Sequence, residues 1–367
     1  MEHCIIVGCD VHTKNTLLKA AADRDEPVKR LFRSNRRGQA KMLGWLREWS
    51  AKLGGARVVV VYESSLTGFV LYDAVVAAGL ECYVLATSKL ARSWKNRVHK
   101  TDERDAQMLF EQARAHVLAG NPLPVVVVPD PELRDHREVT RARTDLAQKV
   151  TRVKNQVQGL LKRYGLERPA GTGKSWTKAF RAWLDALVGS EELGWGARVA
   201  LSTLLAQLRS LEDEMKYVDE QLAVLAQHPR HAAAVEAIAK FPGVSVGVAL
   251  TFLTEMGDLE RFANRRCLAS YLGLVPRSDE SGETDDRKGH ITHHGPPRVR
   301  RALCLAVQQW IRWSPAAKAR YERLVARGGR RCKKIAKVAL MRLLGIRLWH
   351  AALNAQGAAR AAQGSSS

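Results

Sequence analysis

The chain has 367 residues, with 59 Lys and Arg against 37 Asp and Glu, for a formal net charge of +22. A hydrophobic content of 46% and a charged content of 26% are those of a globular protein, which excludes a wholly disordered or collagen-like chain, and the length suits two or three domains. No apolar run reaches the roughly 18 residues of a membrane helix, and so large a positive excess implies a polyanionic partner, nucleic acid ahead of a membrane surface.

The first hundred residues alternate strand and helix signals. Cys4–Cys9 is a short apolar run ending at Asp10. Thr16–Ala22 and Pro27–Ser34 read as two further strands joined by a turn at Asp23–Glu26. Gly38–Leu53 has helical periodicity through Met42, Trp45, Leu46 and Trp49, and Arg57–Tyr62 is a continuous β-branched run of the kind buried on both faces. A helix over Gly68–Ala78, a strand over Glu81–Ala86 and a helix from the N-cap Thr101 to about Leu118 complete the series. Three strands followed by βαβ units is the element order of an RNase H-like domain, so the fold class expected here is α/β, RNase H-like.

A link punctuated by Pro122, Pro124, Pro129 and Pro131 leads into a long helical region, about Glu132–Tyr164, with apolar spacings of four and three through Leu146, Val150, Val153, Val157 and Leu160. A second such series, Leu201, Leu204, Leu208, Leu211, Met215, Val218, Leu222 and Leu225, supports a coiled-coil seam, formed either within one chain or between chains. The Gly- and Trp-rich stretch between them includes Gly171-Thr-Gly-Lys-Ser175. A P-loop would need a glycine where Arg168 stands and a strand before it, so no nucleotide site is expected. The chain turns helical again from His231. Phe241-Pro-Gly243-Val-Ser-Val-Gly-Val-Ala249 is read either as the hairpin of a helix-hairpin-helix, offering N–H groups to phosphate, or as a plain packing turn. Pro276–Pro297 reads as a long polar loop, Arg298–Trp313 and Cys332–Leu353 as helices, and the residues after Gln356 as a frayed tail.

Four acids stand out against this outline. Asp10 ends the first strand, Glu63 follows the fourth, and Asp102 and Asp105 are three apart at the start of a helix, on one face. In an RNase H-like sheet the first and fourth strands are central neighbours with the last helix beside them, so the four carboxylates are expected to meet. Carboxylates so clustered repel unless cations neutralise them. Mg2+ is the expected cofactor, because it takes hard oxygen ligands, and two such ions serve phosphodiester cleavage. The basic run Lys89, Arg92, Lys95, Arg97 and Lys100 leads into the acidic pair and suits a nucleic-acid backbone. Each acid also has a plain reading, since acids favour a first helical turn through the macrodipole and often end strands at the surface.

Three segments, Val7-Gly-Cys-Asp10-Val-His12, Val61-Tyr-Glu63-Ser64 and His99-Lys-Thr-Asp102-Glu-Arg-Asp105-Ala106, together resemble the DEDD transposases of the insertion-sequence one-ten family, whose N-terminal domain is RuvC-like. Phe241-Pro-Gly243, Tyr271-Leu-Gly-Leu-Val-Pro276, Glu280-Ser281-Gly282, Gly289-His-Ile-Thr292 and Arg300-Arg-Ala-Leu303 extend the resemblance over most of the chain. It implies a RuvC-like DEDD domain over 1–122, a helical coiled-coil region over 123–230, a mostly α-helical C-terminal transposase domain over 231–356 and a disordered tail over 357–367. It also implies that Ser281 is a nucleophile attacking a DNA phosphodiester to give a transient phosphoserine bond, with Ser278 the nearby rival, while the four acids and their metals assist. His293-His-Gly295-Pro296 departs from the family pattern after Thr292, and with no cysteine near His290, His293 and His294 a zinc site there is not expected.

Residues 287–347 are rich in Lys and Arg, and Glu322 is their sole acid, an imbalance that argues for phosphate contact. Candidate contacts are Arg287, Lys288, Arg298, Arg300, Arg301, Arg330, Arg331, Lys333 and Lys334, with Gly243 in the hairpin. Trp310, Trp313 and Trp349 among them read as core, with base stacking as the alternative. The resemblance implies target and donor DNA as partners, a structured guide (bridge) RNA and a homo-oligomer, dimer or tetramer. Scattered cysteines without a CxxC pair and the absence of a basic n-region before the first apolar stretch fit a cytoplasmic, nucleoid-associated bacterial protein that does not engage membranes. The expected function is DNA recombination for an insertion sequence. The alternatives are a RuvC-like endonuclease using metal-activated water, and a nucleic-acid-binding protein without catalysis.

Overall fold

The computed structural model describes residues 3–89, 101–173, 176–278, 288–327 and 332–364. The chain divides into two compact units, Met1–Val128 and Pro129–Ser367.

The first unit is built on five strands: β1 (Cys4–Val11), β2 (Asn15–Ala22), β3 (Val28–Arg33), β4 (Arg57–Glu63) and β5 (Glu81–Leu85). They form one mixed sheet in the order β3-β2-β1-β4-β5. β1 pairs antiparallel with β2 and parallel with β4, so the first and fourth strands are neighbours. Alternate residues serve opposite faces. Ile5, Val7, Cys9, Val58, Val60 and Tyr62 pack against Met42 and Leu46 of α1 (Arg36–Lys52) and Leu71 and Val75 of α2 (Val70–Ala77). Ile6, Val59 and Val61 pack on the other side against Leu109, Phe110 and Ala113 of α3 (Asp102–Ala119). Both faces are covered, which is why β1 and β4 read as continuous apolar runs rather than alternating ones. Asn35 caps α1, accepting from the Gly38 N–H, and Thr101 caps α3, accepting from the Arg104 N–H.

In the second unit α4 (Pro131–Arg163) and α6 (Trp195–Ala226) lie antiparallel. Val157 and Leu160 pack with Leu201 and Leu205, while Val150 and Val153 pack with Leu208. Lys154 meets Glu212 across this pair, Arg181 of the short helix between them pairs with the same carboxylate, and Arg143 meets Asp219 further along. The two apolar seams thus meet within one chain. α5 (Lys178–Gly189) closes the tip through Phe180, Leu184 and Leu187 and supplies a helix inside the Gly- and Trp-rich stretch. Leu222 and Leu225, at the far end of the α6 seam, enter a second core with α7 (Ala232–Ala239), α8 (Val246–Met256), α9 (Arg265–Tyr271), α10 (Pro297–Trp313), α11 (Pro315–Ala326) and α12 (Cys332–Gly364).

Three expectations change here. The polar stretch 276–297 contains two short antiparallel strands, β6 (Pro276–Ser278) and β7 (Lys288–Ile291). The last helix does not stop near Leu353, with a frayed tail after Gln356, but continues to Gly364, because Ala358, Ala359, Ala361 and Ala362 are the strongest helix formers and Arg360 pairs with Glu260. Trp310 and Trp349 are core, the latter donating its ring N–H to the Leu259 carbonyl, but Trp313 is 67% exposed. Among the described residues no helix is long and apolar enough to cross a membrane.

Candidate functional site

Asp10 and Glu63 owe their positions to register. The β1–β4 ladder runs from Cys4 opposite Arg57 to Cys9 opposite Tyr62, so Asp10 and Glu63 come next on adjacent parallel strands. By alternation both belong to the face that α3 covers, with Ile6 and Gly8 on β1 and Val59 and Val61 on β4. α3 reaches that face because residue 8 lacks a side chain. A Cβ at Gly8 would stand 2.1 Å from the Phe110 backbone nitrogen and 2.5 Å from its Cα. Asp105 lies one turn before Leu109 on the same helix, and Asp102 three residues earlier, so the closure at Gly8 carries both towards Asp10. Glu63 is followed by a fixed loop. The Ser64 N–H donates to the Leu85 carbonyl at 2.9 Å, and the Thr87 hydroxyl donates to the Ser64 carbonyl at 3.0 Å.

Asp105 is only 4% exposed, so the surface reading of this acid fails. Asp10 is half-buried, and burial pushes its carboxyl above the usual range; His12 pulls it back, and the charges of Asp105 and Asp102 push it up again. His12 Nε2 lies 3.0 Å from Asp10 Oδ2 and 3.3 Å from Asp102 Oδ1. One ligand atom each from Asp10, His12 and Asp102 falls within a common 4.8 Å. Oxygen donors this close, one of them destabilised as an anion by burial and by its neighbours, fit a hard divalent cation. Glu103, in the same helical turn, is drawn elsewhere, to Lys29 at 2.8 Å and Lys19 at 3.5 Å. His12 had no role in the sequence reading, although its place two residues after Asp10 puts it on the same side of the chain.

The basic candidates divide. Lys89 is exposed in a short 3-10 turn, Thr87–Lys89, while Arg92, Lys95, Arg97 and Lys100 lie outside the described residues, as do Ser281, Arg287, Arg330 and Arg331. Lys288 begins β7, and Arg301, Lys333 and Lys334 are exposed on helices. Arg298 is engaged with Asp145 at 3.2 Å. Arg300 donates to the carbonyls of Leu272, His294 and Gly295, and burial lowers its pKa. Those carbonyls mark a tight crossing. Gly273 (φ +65°) abuts His294, and Gly295 (φ +72°) abuts the Tyr271 carbonyl, leaving no room for a Cβ at either. This crossing stands at the base of the β6–β7 pair. Gly243 presses on the α10 backbone, with its would-be Cβ 2.6 Å from the Ala306 carbonyl oxygen.

A family model described as a transposase, for the DEDD transposases of IS110, matches residues 7–166, and the model of the transposase IS116/IS110/IS902 family matches residues 235–322. A Sinorhizobium fredii protein bearing the transposase name y4qE is 32% identical over 81% of this chain and 69% of its own length. The chain belongs to the IS110 family of DEDD transposases. The transposase for insertion sequence element IS1533 of Leptospira borgpetersenii is 24% identical over 84% of this chain and 86% of its own. The transposase for insertion sequence element IS1111A of Coxiella burnetii is 27% identical over 58% of this chain and 56% of its own. The protein is thus a DNA transposase of an insertion sequence, and a DEDD domain, matched here over the N-terminal unit and α4, implies the use of a divalent metal.

Proposed function

We propose that this transposase is a magnesium-dependent DNA recombinase that cleaves and rejoins strands through a phosphoserine bond at Ser281, assisted by Asp10, Glu63, Asp102 and Asp105 on an RNase H-like, RuvC-like unit. The observation that carries the reading is the meeting of Asp10 and Asp102 at His12, with Asp105 buried nearby and its charge felt by Asp10. The sheet order β3-β2-β1-β4-β5, with α3 across β1 and β4, supports the fold assignment.

The four carboxylates are the residues that would hold Mg2+, and the bound ions supply charge neutralisation at the attacking and leaving oxygens of phosphodiester exchange. His12 keeps Asp10 and Asp102 together, and Gly8 sets how closely Asp105 approaches. Ser281 Oγ gives up its proton and bonds to phosphorus while the DNA oxygen leaves and takes a proton. Attack by a hydroxyl of the partner strand reverses the exchange and frees the serine. Exposed Arg301, Lys333 and Lys334 fit contact with backbone phosphate. The excess of positive charge over 287–347 is enough for a guide RNA as well as DNA. The serine-bearing part, 231–356, and the DEDD part, 1–122, belong to different units, a division suited to a homo-oligomer in which one copy's carboxylates serve another's serine.

The test is a strand-exchange assay with the element's DNA ends, a target DNA and transcripts from the sequence flanking the gene. Recombinant joints and a covalent protein–DNA adduct are expected in Mg2+, with both lost in Ser281→Ala. Cleavage that survives Ser281→Ala without any adduct would replace the serine mechanism by hydrolysis.

A further inference from the structure

The helical unit holds a second cluster of ligating side chains, which the DNA chemistry above leaves unused. Glu132 and His136 stand four apart on the first turns of α4, on one face. His228 lies in the turn after α6, and His231 stands immediately before α7. One carboxylate oxygen of Glu132 and one ring nitrogen each of His136 and His228 all fall within 4.8 Å of one another. His228 Nε2 is 3.6 Å from Glu132 Oε1, and the His136 and His228 rings meet edge-on with centroids 4.7 Å apart.

The surroundings orient two of these donors, while His228 Nδ1 accepts from the Arg230 N–H at 3.3 Å, a contact that must open for Nε2 to give its lone pair to an ion. His136 Nδ1 lies 2.9 Å from Nε2 of His231, a ring only 3% exposed. With Nδ1–H donated to His231, Nε2 of His136 is the nitrogen left for an ion. Arg230 holds the other carboxylate oxygen of Glu132, Oε2, at 2.7 Å, so Oε1 is the one that faces His228. Arg230 also pairs with Asp130, so two carboxylates stand against one guanidinium. A metal-bound histidine whose other N–H is donated to a fixed acceptor, beside a carboxylate whose far oxygen is also held, is the usual support of a metal site.

We propose that Glu132, His136 and His228 form a site for a divalent transition-metal ion, Zn2+ by the match of two imidazoles and one carboxylate, with His231 and Arg230 as positioning residues. Two nitrogens and one oxygen leave a fourth, open position. At bond lengths of about 2.1 Å the donors around zinc stand roughly 3.4 Å apart, a closure from the present spacing that side-chain rotation covers. Two imidazoles and one carboxylate, against one imidazole and two carboxylates at Asp10, His12 and Asp102, distinguish this site from the oxygen-rich cluster that suits Mg2+. The ion would staple the start of α4 to the turn joining α6 and α7.

The experiment uses the full chain, stripped by chelator and returned to millimolar Mg2+, then titrated with ZnCl2 by calorimetry. In parallel, CoCl2 is followed by visible absorption. One equivalent of Zn2+ is expected that Mg2+ does not displace and that persists in Asp10→Ala/Asp102→Ala protein. His136→Ala or His228→Ala should abolish it. His231→Ala should weaken it about tenfold, the size usual for loss of an orienting partner. Bound Co2+ should show the d–d bands of nitrogen and oxygen ligation in Asp10→Ala/Asp102→Ala protein, where the helical cluster keeps all its ligands, and lose them when His136→Ala is added. Three results overturn the proposal: no zinc taken up beyond the carboxylate cluster, uptake unchanged in His136→Ala/His228→Ala protein, or a thiolate-to-cobalt charge-transfer band that places the ion on cysteine.

Discussion

In the N-terminal unit the proposed metal ligands project from two adjacent strand ends and from a helix that a glycine allows to close on them. In the helical unit they project from one turn of α4 and from the turn between α6 and α7, almost a hundred residues further along. The first arrangement is set by backbone: parallel register fixes Asp10 beside Glu63, and direct contact of α3 with Gly8 fixes Asp105. The second is set by side chains leaning on one another, His136 on His231 and Glu132 on Arg230. The ligand chemistry follows the same division, oxygen-rich in the sheet and nitrogen-rich in the helices. The nitrogen-rich cluster disfavours Mg2+, which takes oxygen ligands, so the difference in ligand type alone is enough to keep Mg2+ out of the helical unit.

The largest expected effect separates the two clusters. Asp10→Asn should lower strand-exchange rates about a thousandfold, since metal-assisted charge neutralisation is worth several kcal/mol. Zinc uptake by the same variant should be unchanged, and its loss would show that the clusters are not independent. Next, Gly8→Ala forces a methyl group against the α3 backbone and should destabilise the N-terminal unit by about 2–3 kcal/mol. Hydrogen exchange should show the loss in β1 and α3 and leave α4–α12 protected as before. His12→Ala removes the ring between Asp10 and Asp102, and the Mg2+ concentration for half-maximal activity should rise about tenfold while the maximal rate changes less.

The smallest effect lies in the helical unit and involves no metal. Hydrogen bonding to Arg181 holds the Glu212 carboxyl below its usual range. Its stabilisation is therefore complete above the unfolded carboxylate value and is lost as pH falls through the folded one. Arg181→Met should lower stability by about 1 kcal/mol near neutral pH. The gap from the unmutated chain should close on acidification, as read by denaturant midpoints across that range.

Much of the N-terminal unit was legible in the sequence, because strands buried on both faces leave runs such as Val58–Val61 and acids at their ends are conspicuous. Thr101 announced α3 one residue before its first turn. His12 stands in a motif of the resemblance, but its contact role is not legible there, because a histidine two residues past an acid has many ordinary explanations and only the fold brings Asp102 to its other side. The cluster of Glu132, His136, His228 and His231 was harder still. The i,i+4 and i,i+3 spacings are each commonplace, and their meeting depends on how α4 packs beside the α6–α7 turn. The β6–β7 pair was hidden by a polar composition that reads as loop, and the two glycines at its base show their purpose only when Gly273 is seen against His294. The α4 and α6 seams could be read as apolar stripes, but periodicity does not say whose partner each stripe meets.

The glycine at position 8 has an implication for how this enzyme could diverge. The gap between a strand and a helix is fixed there by bare backbone touching backbone, so any side chain would have to push α3 away by about an ångström or more, carrying Asp102 and Asp105 with it. Ions that differ chiefly in radius are sorted by smaller displacements than that. A residue that coordinates nothing therefore has leverage over any ion these carboxylates hold.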